Sequence, residues 1–216
     1  MNFRRMNMSD IKLDMSEIFR SMGYPDPSSP AQDMEAVVMS LVERFAAVCH
    51  PRFRYIESSV EGLSPKGIIM KGLSGADKYL LFIATAGMEF QQEIDKIAQE
   101  GDIVKVYAAD LIGSEIAEAT VRECVKAIEA DYAPLGVSNP YSPGYCGWVL
   151  SEQREIFSRF GADTCGVKLN DSCLMYPIKS VSGIVSVGAA VEKREYGCAI
   201  CGRKDCYKNR LKTIKK

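Results

Sequence analysis

A single histidine, His50, occurs in 216 residues, so no Ser/His/Asp or Cys/His pair can be assembled with any security and hydrolase chemistry is not expected. Its place beside Pro51, at the end of a helical pattern, favours a helix C-terminal cap over a catalytic base. An excess of charge of either sign is also missing. Lys and Arg number 27 against 28 for Asp and Glu, which leaves no broad basic field to drive nucleic-acid binding. The one basic cluster, Arg203 to Lys216, reads as a solvated terminus or as a contact for an acidic partner. No apolar run is long enough to cross a membrane, and the N-terminal MNFRRMNMSDIKLDM carries two arginines with no continuous apolar stretch behind them. Neither a membrane span nor a secretory signal is expected, and the cytoplasm is the expected compartment. The eight cysteines should then stay reduced, to be explained by metal binding, thiol chemistry or burial.

What is present is the balance of an ordinary globule: 47% apolar and 25% charged residues, enough chain for one sizeable core. Ile11, Met15, Ile18, Phe19 and Met22 recur at helical spacing from Ser9 to Gly23. Ser29-Pro30-Ala31-Gln32 has the pattern of a capping box and opens a second helix reaching His50, so the portion from about 9 to 50 is helical. Strands are predicted over Arg52 to Glu57, Gly67 to Lys71 and Lys78 to Thr85, the last nearly all apolar and so central in a sheet. Helices follow over Met88 to Gln99 and from about Asp102 to Ala130. Asp131 to Trp148 is a Pro/Gly-rich loop, Ser151 to Phe160 a helix, and Cys165 to Leu169 and Val181 to Val191 strands. No internal repeat is visible, and helices and strands without a strict βαβ rhythm indicate an α+β fold. Composition shifts at Gly197, dividing a domain over 1–196 from a Cys-rich basic tail over 197–216.

The loop NPYSPGYCGW, Asn139 to Trp148, packs two prolines, two glycines, two tyrosines and the only tryptophan into ten residues. Fixed φ at proline, close approach at glycine and flat aromatic walls suit a cradle for a planar ligand, and equally a rigid turn whose rings plug the core. Upstream lie FIATAG, Phe82 to Gly87, and ADLIGSEIAEA, Ala109 to Ala119; downstream lie SEQREIF from Ser151 and MYPIKSVSGI, Met175 to Ile184. In this order the series resembles the activation domain of cobalamin-dependent methionine synthase, over about Gly67 to Val191.

The resemblance implies a twisted antiparallel sheet with flanking helices. It implies an accessory role in reductive reactivation of a corrinoid methyltransferase such as methionine synthase, so that any enzymatic part is a share in that methyltransferase system. S-adenosylmethionine would be the methyl donor, cobalamin would be held by the partner protein, and a flavodoxin-like protein would give the electron. No nucleic acid and no membrane enter this scheme. Carried over by residue, the ligand turn is Tyr141, Ser142, Pro143, Gly144 and Tyr145, and Tyr145 is a sensible aromatic neighbour for a sulfonium. Pro140 stands where the family's turn usually begins with an arginine, and Val185 where a tyrosine follows SVSG by one residue in the methionine synthases. Lys179 is then either the grip for the ligand's carboxylate or an ordinary exposed lysine. Asp110, Ser114, Glu115 and Glu118, at close to i, i+4 spacing, form either a solvated acidic face or, for Asp110, Ser114 and Glu118, groups turned toward a loop or ligand.

The tail carries Cys198, Cys201 and Cys206 in a C-x2-C-x4-C spacing, in which the first pair can place two thiolates on one metal. A closed site needs a fourth ligand, for which Cys146, Cys165 and Cys173 are candidates; zinc and an iron-sulfur cluster accept the same four thiolates. A rival reading follows from these cysteines together with Pro140 and Val185: a metal-binding redox or interaction module on the same fold that has lost S-adenosylmethionine.

Overall fold

The computed structural model describes residues 3–24 and 26–194. At its centre is β3 (Lys78–Thr85), whose KYLLFIAT run is buried on both faces from Leu80 onward. It lies in a five-stranded, wholly antiparallel sheet of order β1 (Arg4–Arg5), β2 (Arg52–Ser58), β3, β7 (Ser180–Gly188), β4 (Gly136–Val137). Register is explicit at the middle of the sheet, where Tyr55 faces Phe82 and Phe82 faces Gly183. The period-2 alternation of the strands sorts their side chains. Leu80, Phe82, Ala84, Val185 and Val187 cluster with Val121, Val125 and Ile128 of α5 (Ile103–Asp131), while Leu81, Ile83 and Ile184 cluster on the opposite face with Tyr141, Trp148, Ile156 and Phe160.

α5 is the long member of the helical layer. Asp102 caps it, accepting from the backbone N–H groups of Val104 at 3.0 Å and Lys105 at 3.1 Å. Its second half covers the sheet. Its first half packs with α1 (Met15–Ser21), α2 (Gln32–Val48) and α4 (Met88–Gln99) in a cluster of Ile18, Val38, Leu41, Phe45, Phe90, Ile97 and Ile112. Gly113 allows α4 and α5 to meet closely: a Cβ there would stand 2.1 Å from Cζ of Phe90, whose ring lies 4.6 Å from that of Phe45. The far face of the sheet carries α3 (Ile68–Gly72), α6 (Gln153–Phe160) and a small hairpin of β5 (Lys168–Leu169) and β6 (Met175–Tyr176). No helix of the described residues is long and apolar enough to cross a membrane.

Several local expectations are corrected. Gly67 to Lys71, expected as a strand, is the helix α3 preceded by Gly67 at φ +56°; a short apolar run fits either element, and burial of Ile69 and Leu73 under the sheet decides it. The Ser29 capping box does not form, since α2 starts at Gln32 behind Ala31, which makes no side-chain cap. The first helix is shorter than expected because Asp14 caps it, accepting from the N–H of Glu17 at 3.1 Å. Cys49 rather than His50 ends α2; Pro51 forces the chain ahead of it out of the helical region. Of Cys165 to Leu169 only the last two residues are strand, and they pair with β6, outside the main sheet.

α2 and α4 are tied by an ion pair at their edge. Glu93, 6% exposed, accepts from Nε of Arg44 at 2.5 Å and from Nζ of Lys96 at 2.9 Å. The hydrogen bond from Arg44, then that from Lys96, holds its carboxyl below the ordinary value of 4.5. A carboxyl depressed in the folded state contributes stability that is present above its unfolded value and disappears as pH falls through the folded one. The stability gap between the wild type and Glu93→Gln is therefore expected to be full above about pH 4.5 and to close as the pH drops below it, as read from urea midpoints across pH.

Candidate ligand site

The NPYSPGYCGW loop is fastened to the free edge of β7. Ser138 exchanges hydrogen bonds with Ser186, through its N–H to the Ser186 carbonyl and its hydroxyl from the Ser186 N–H, both at 2.9 Å. Tyr141 and Ile184 then exchange backbone bonds of 3.0 and 2.8 Å as an isolated antiparallel bridge. Three steps along the loop match two along β7, so Asn139 and Pro140 together oppose Val185. This is a bulge, where a proline's missing N–H costs no ladder bond. The two departures from the family pattern, Pro140 and Val185, thus face each other across the sheet edge. Val185 is fully buried with Leu80 and Val121.

Beyond the bulge the chain heads toward the Lys179 end of β7 and folds back. The Gly144 N–H donates to the Trp148 carbonyl at 2.8 Å and the Trp148 N–H to the Tyr145 carbonyl at 2.9 Å, with Gly144, Cys146 and Gly147 at φ +90°, +50° and +82°. Two rings anchor it. Tyr141, 2% exposed, lies over α3 so closely that a Cβ on Gly72 would stand 1.9 Å from its hydroxyl oxygen. Burial pushes its phenol up, against a hydrogen bond with Asn139. Trp148, 1% exposed, donates from Nε1 to Oε2 of Glu152 at 2.5 Å, and the same oxygen accepts the N–H of Ser64 at 2.7 Å. Pro143 is buried, Ser142 and Gly144 are half-buried, and Tyr145 is 64% exposed. The rings therefore divide: Tyr141 and Trp148 fill the core as a plug, and Tyr145 faces outward between them.

The acidic helix face and Lys179 meet. Nζ of Lys179 lies 2.7 Å from Oδ1 of Asp110 and 2.9 Å from the hydroxyl of Ser114, with Glu118 exposed one helical turn farther along α5. The Lys179 side chain is only 12% exposed, so it is no ordinary surface lysine. Its carbonyl accepts the Ala86 N–H at 2.9 Å, which ties the FIATAG segment to the start of β7. Glu115 belongs elsewhere, accepting from the Asp14 N–H at 2.8 Å and from Arg122 at 2.6 Å as a structural link between α1 and α5.

Sequence reasoning missed Glu152, Asn139 and Arg194. Asn139 donates from Nδ2 to the Arg194 carbonyl at 2.5 Å, while Arg194 reaches the Ser74 hydroxyl at 3.5 Å. Glu152 had a signal, one helical turn after Trp148; Arg194 had none. Among the described cysteines, Cys165 and Cys173 are buried and burial raises the Cys165 thiol to about 12, whereas Cys146 is half-buried at the tip of the turn. Cys198, Cys201 and Cys206 lie outside the described residues. Among the described ones no three His, Cys, Asp or Glu side chains converge as a metal site.

A crystal structure of the MetH reactivation domain bound to AdoHcy superposes with a TM-score of 0.68 over 91% of this chain and 80% of that one, at 13% identity, and shares its fold. No curated protein sequence matches the chain. The model of the vitamin B12-dependent methionine synthase activation domain matches residues 59–212, which takes in the loop, α5 from end to end and β7. The chain belongs to the vitamin B12-dependent methionine synthase activation-domain family.

Proposed function

We propose that the protein binds S-adenosylmethionine on the Ser142–Tyr145 turn and serves the reductive reactivation of a corrinoid methyltransferase such as methionine synthase. The observation that carries this reading is the rigid turn, held on the edge of β7 by Tyr141 and Trp148, with the Asp110–Ser114–Glu118 face of α5 meeting that same strand at Lys179. The donor set suits the ligand's charges. Its sulfonium and ammonium are cationic, and they match the exposed ring of Tyr145 and the carboxylates of Asp110 and Glu118. Its carboxylate needs a donor that Pro140 does not supply; the ammonium of Lys179 has three N–H groups, and Asp110 and Ser114 take two. When bound, S-adenosylmethionine supplies an electrophilic methyl group to the partner's reduced cobalamin and leaves as S-adenosylhomocysteine. The chain's own residues bind and orient it and exclude water, and none acts as a nucleophile. The cobalamin is held by the partner, a flavodoxin-like protein gives the electron, and the reaction takes place in the cytoplasm. Residues 1–196 form the binding domain and 197–216 an appended tail.

Isothermal titration with S-adenosylmethionine and S-adenosylhomocysteine tests the reading. Saturable heat is expected, and Tyr145→Ala should weaken binding roughly tenfold, equivalent to about 1.4 kcal/mol, without moving the melting temperature, because the ring is largely exposed. Absence of heat at high protein concentration, with and without a corrinoid protein, would sink it.

A further inference from the structure

We propose that Glu152 is a positioning residue for the ligand turn: its carboxylate orients the Trp148 indole and, through it, the backbone of Gly144 and Tyr145. The inference rests on the reading of that turn as the place where S-adenosylmethionine binds. Glu152 closes the 3-10 turn Leu150–Glu152, immediately ahead of α6, and is half-buried. One of its oxygens, Oε2, accepts both from Nε1 of Trp148 at 2.5 Å and from the N–H of Ser64 at 2.7 Å. A carboxylate oxygen shared in this way restrains both donors at once.

Trp148 is the member of the turn that passes the restraint on. Its carbonyl accepts the Gly144 N–H at 2.8 Å and its N–H donates to the Tyr145 carbonyl at 2.9 Å, so a displaced Trp148 carries both residues with it. Apolar packing in the cluster of Tyr141, Ile156 and Phe160 holds the indole in the core without giving it a direction, and the Nε1 bond supplies the direction. The other end of the link is anchored outside the turn. Ser64 stands between Leu63 and Pro65, both buried. Arg159 of α6 holds the segment ahead of it through the Ser59 carbonyl at 2.5 Å, the Ser58 hydroxyl at 2.9 Å and the Glu61 carbonyl, and is itself paired with Glu155 at 2.8 Å. Glu152 therefore ties the ligand turn to the chain that leaves β2, and a binding surface keeps its geometry when outer hydrogen bonds of this kind lock the groups behind it.

Three substitutions in the full chain separate the shared oxygen from its charge and its reach. Glu152→Gln keeps an acceptor oxygen at the same distance from the backbone, Glu152→Asp keeps the charge one methylene short, and Glu152→Ala keeps neither. Titration of the folded variants with S-adenosylmethionine should leave Glu152→Gln within about threefold of the wild type and weaken the other two roughly tenfold or more. Amide hydrogen exchange without ligand asks the same question independently. In Glu152→Asp and Glu152→Ala the Gly144 and Trp148 amides should exchange roughly tenfold faster or more, while those of Tyr141 and Ile184, bonded across the sheet edge, keep their wild-type rates. A wild type that gives no heat overturns the ligand reading, and the exchange pattern then decides the role of Glu152 by itself. Where the wild type binds, undiminished affinity in Glu152→Ala overturns the proposal. So does faster exchange spread evenly to Tyr141 and Ile184, which would make Glu152 a support of the fold alone. Glu152→Gln behaving like Glu152→Ala overturns it too, by assigning the effect to charge instead of the shared oxygen.

Discussion

Trp148→Ala is expected to lower the unfolding free energy by about 3–5 kcal/mol, a large share of the 5–15 kcal/mol of a typical domain. Two effects add. The indole is 1% exposed within the cluster of Tyr141, Ile156, Phe160 and Ile184, so its removal leaves a cavity that strands of a paired sheet cannot collapse to fill. It also strips Glu152 of the Nε1–H donor at 2.5 Å, leaving that oxygen with the Ser64 N–H. Trp148→Phe keeps one aromatic ring but loses the donor and the fused ring that carries it, so a smaller cavity adds to the loss of about 1.5–3 kcal/mol for a hydrogen bond to a charged group. Because Trp148 is the only tryptophan, unfolding in urea should be followed by far-UV dichroism. A loss below about 1 kcal/mol for the alanine variant would mean that the turn rests on the surface instead of being built into the core.

How far the sequence led depended on the kind of signal. Elements whose burial pattern is long and uniform were legible: KYLLFIAT is a central strand, Met88–Gln99 a helix, and the apolar stripe behind Asp102 runs the length of α5. Elements of four or five residues were not. Gly67 to Lys71 has no length over which a period of 2 differs from 3.6, and only the sheet beneath Ile69 and Leu73 makes it helical. At the site, the turn and the acidic face were both visible as residue types. Their meeting through Lys179 was not, because an ion pair between residues 69 positions apart in sequence, Asp110 and Lys179, is a product of β7 returning beside α5. Pro140 looked like a lost arginine. The bulge shows that it also has a structural use, since the position needs no backbone donor.

The glycine of SVSG has a reason that only the sheet edge reveals, and Gly183→Ala is expected to act on stability and binding together. A Cβ at Gly183 would stand 2.3 Å from the carbonyl oxygen of Tyr141 and 2.7 Å from Cζ of Phe82. The Phe82 ring is fully buried in the central strand and the Tyr141 carbonyl is the acceptor of the Ile184 N–H at 2.8 Å, so neither can yield cheaply. Overpacking of this kind costs about 1–3 kcal/mol, and the least costly relief is to break the Tyr141–Ile184 bridge and let the turn lift from β7. On the proposed reading, displacement of the Ser142–Tyr145 backbone by about an ångström would spoil the surface that S-adenosylmethionine is proposed to meet. S-adenosylmethionine titration of the folded variant should therefore give no saturable heat, and Trp148 fluorescence should shift to the red at low denaturant as the indole becomes wetted. A variant that kept wild-type affinity while losing stability would place the ligand away from the turn.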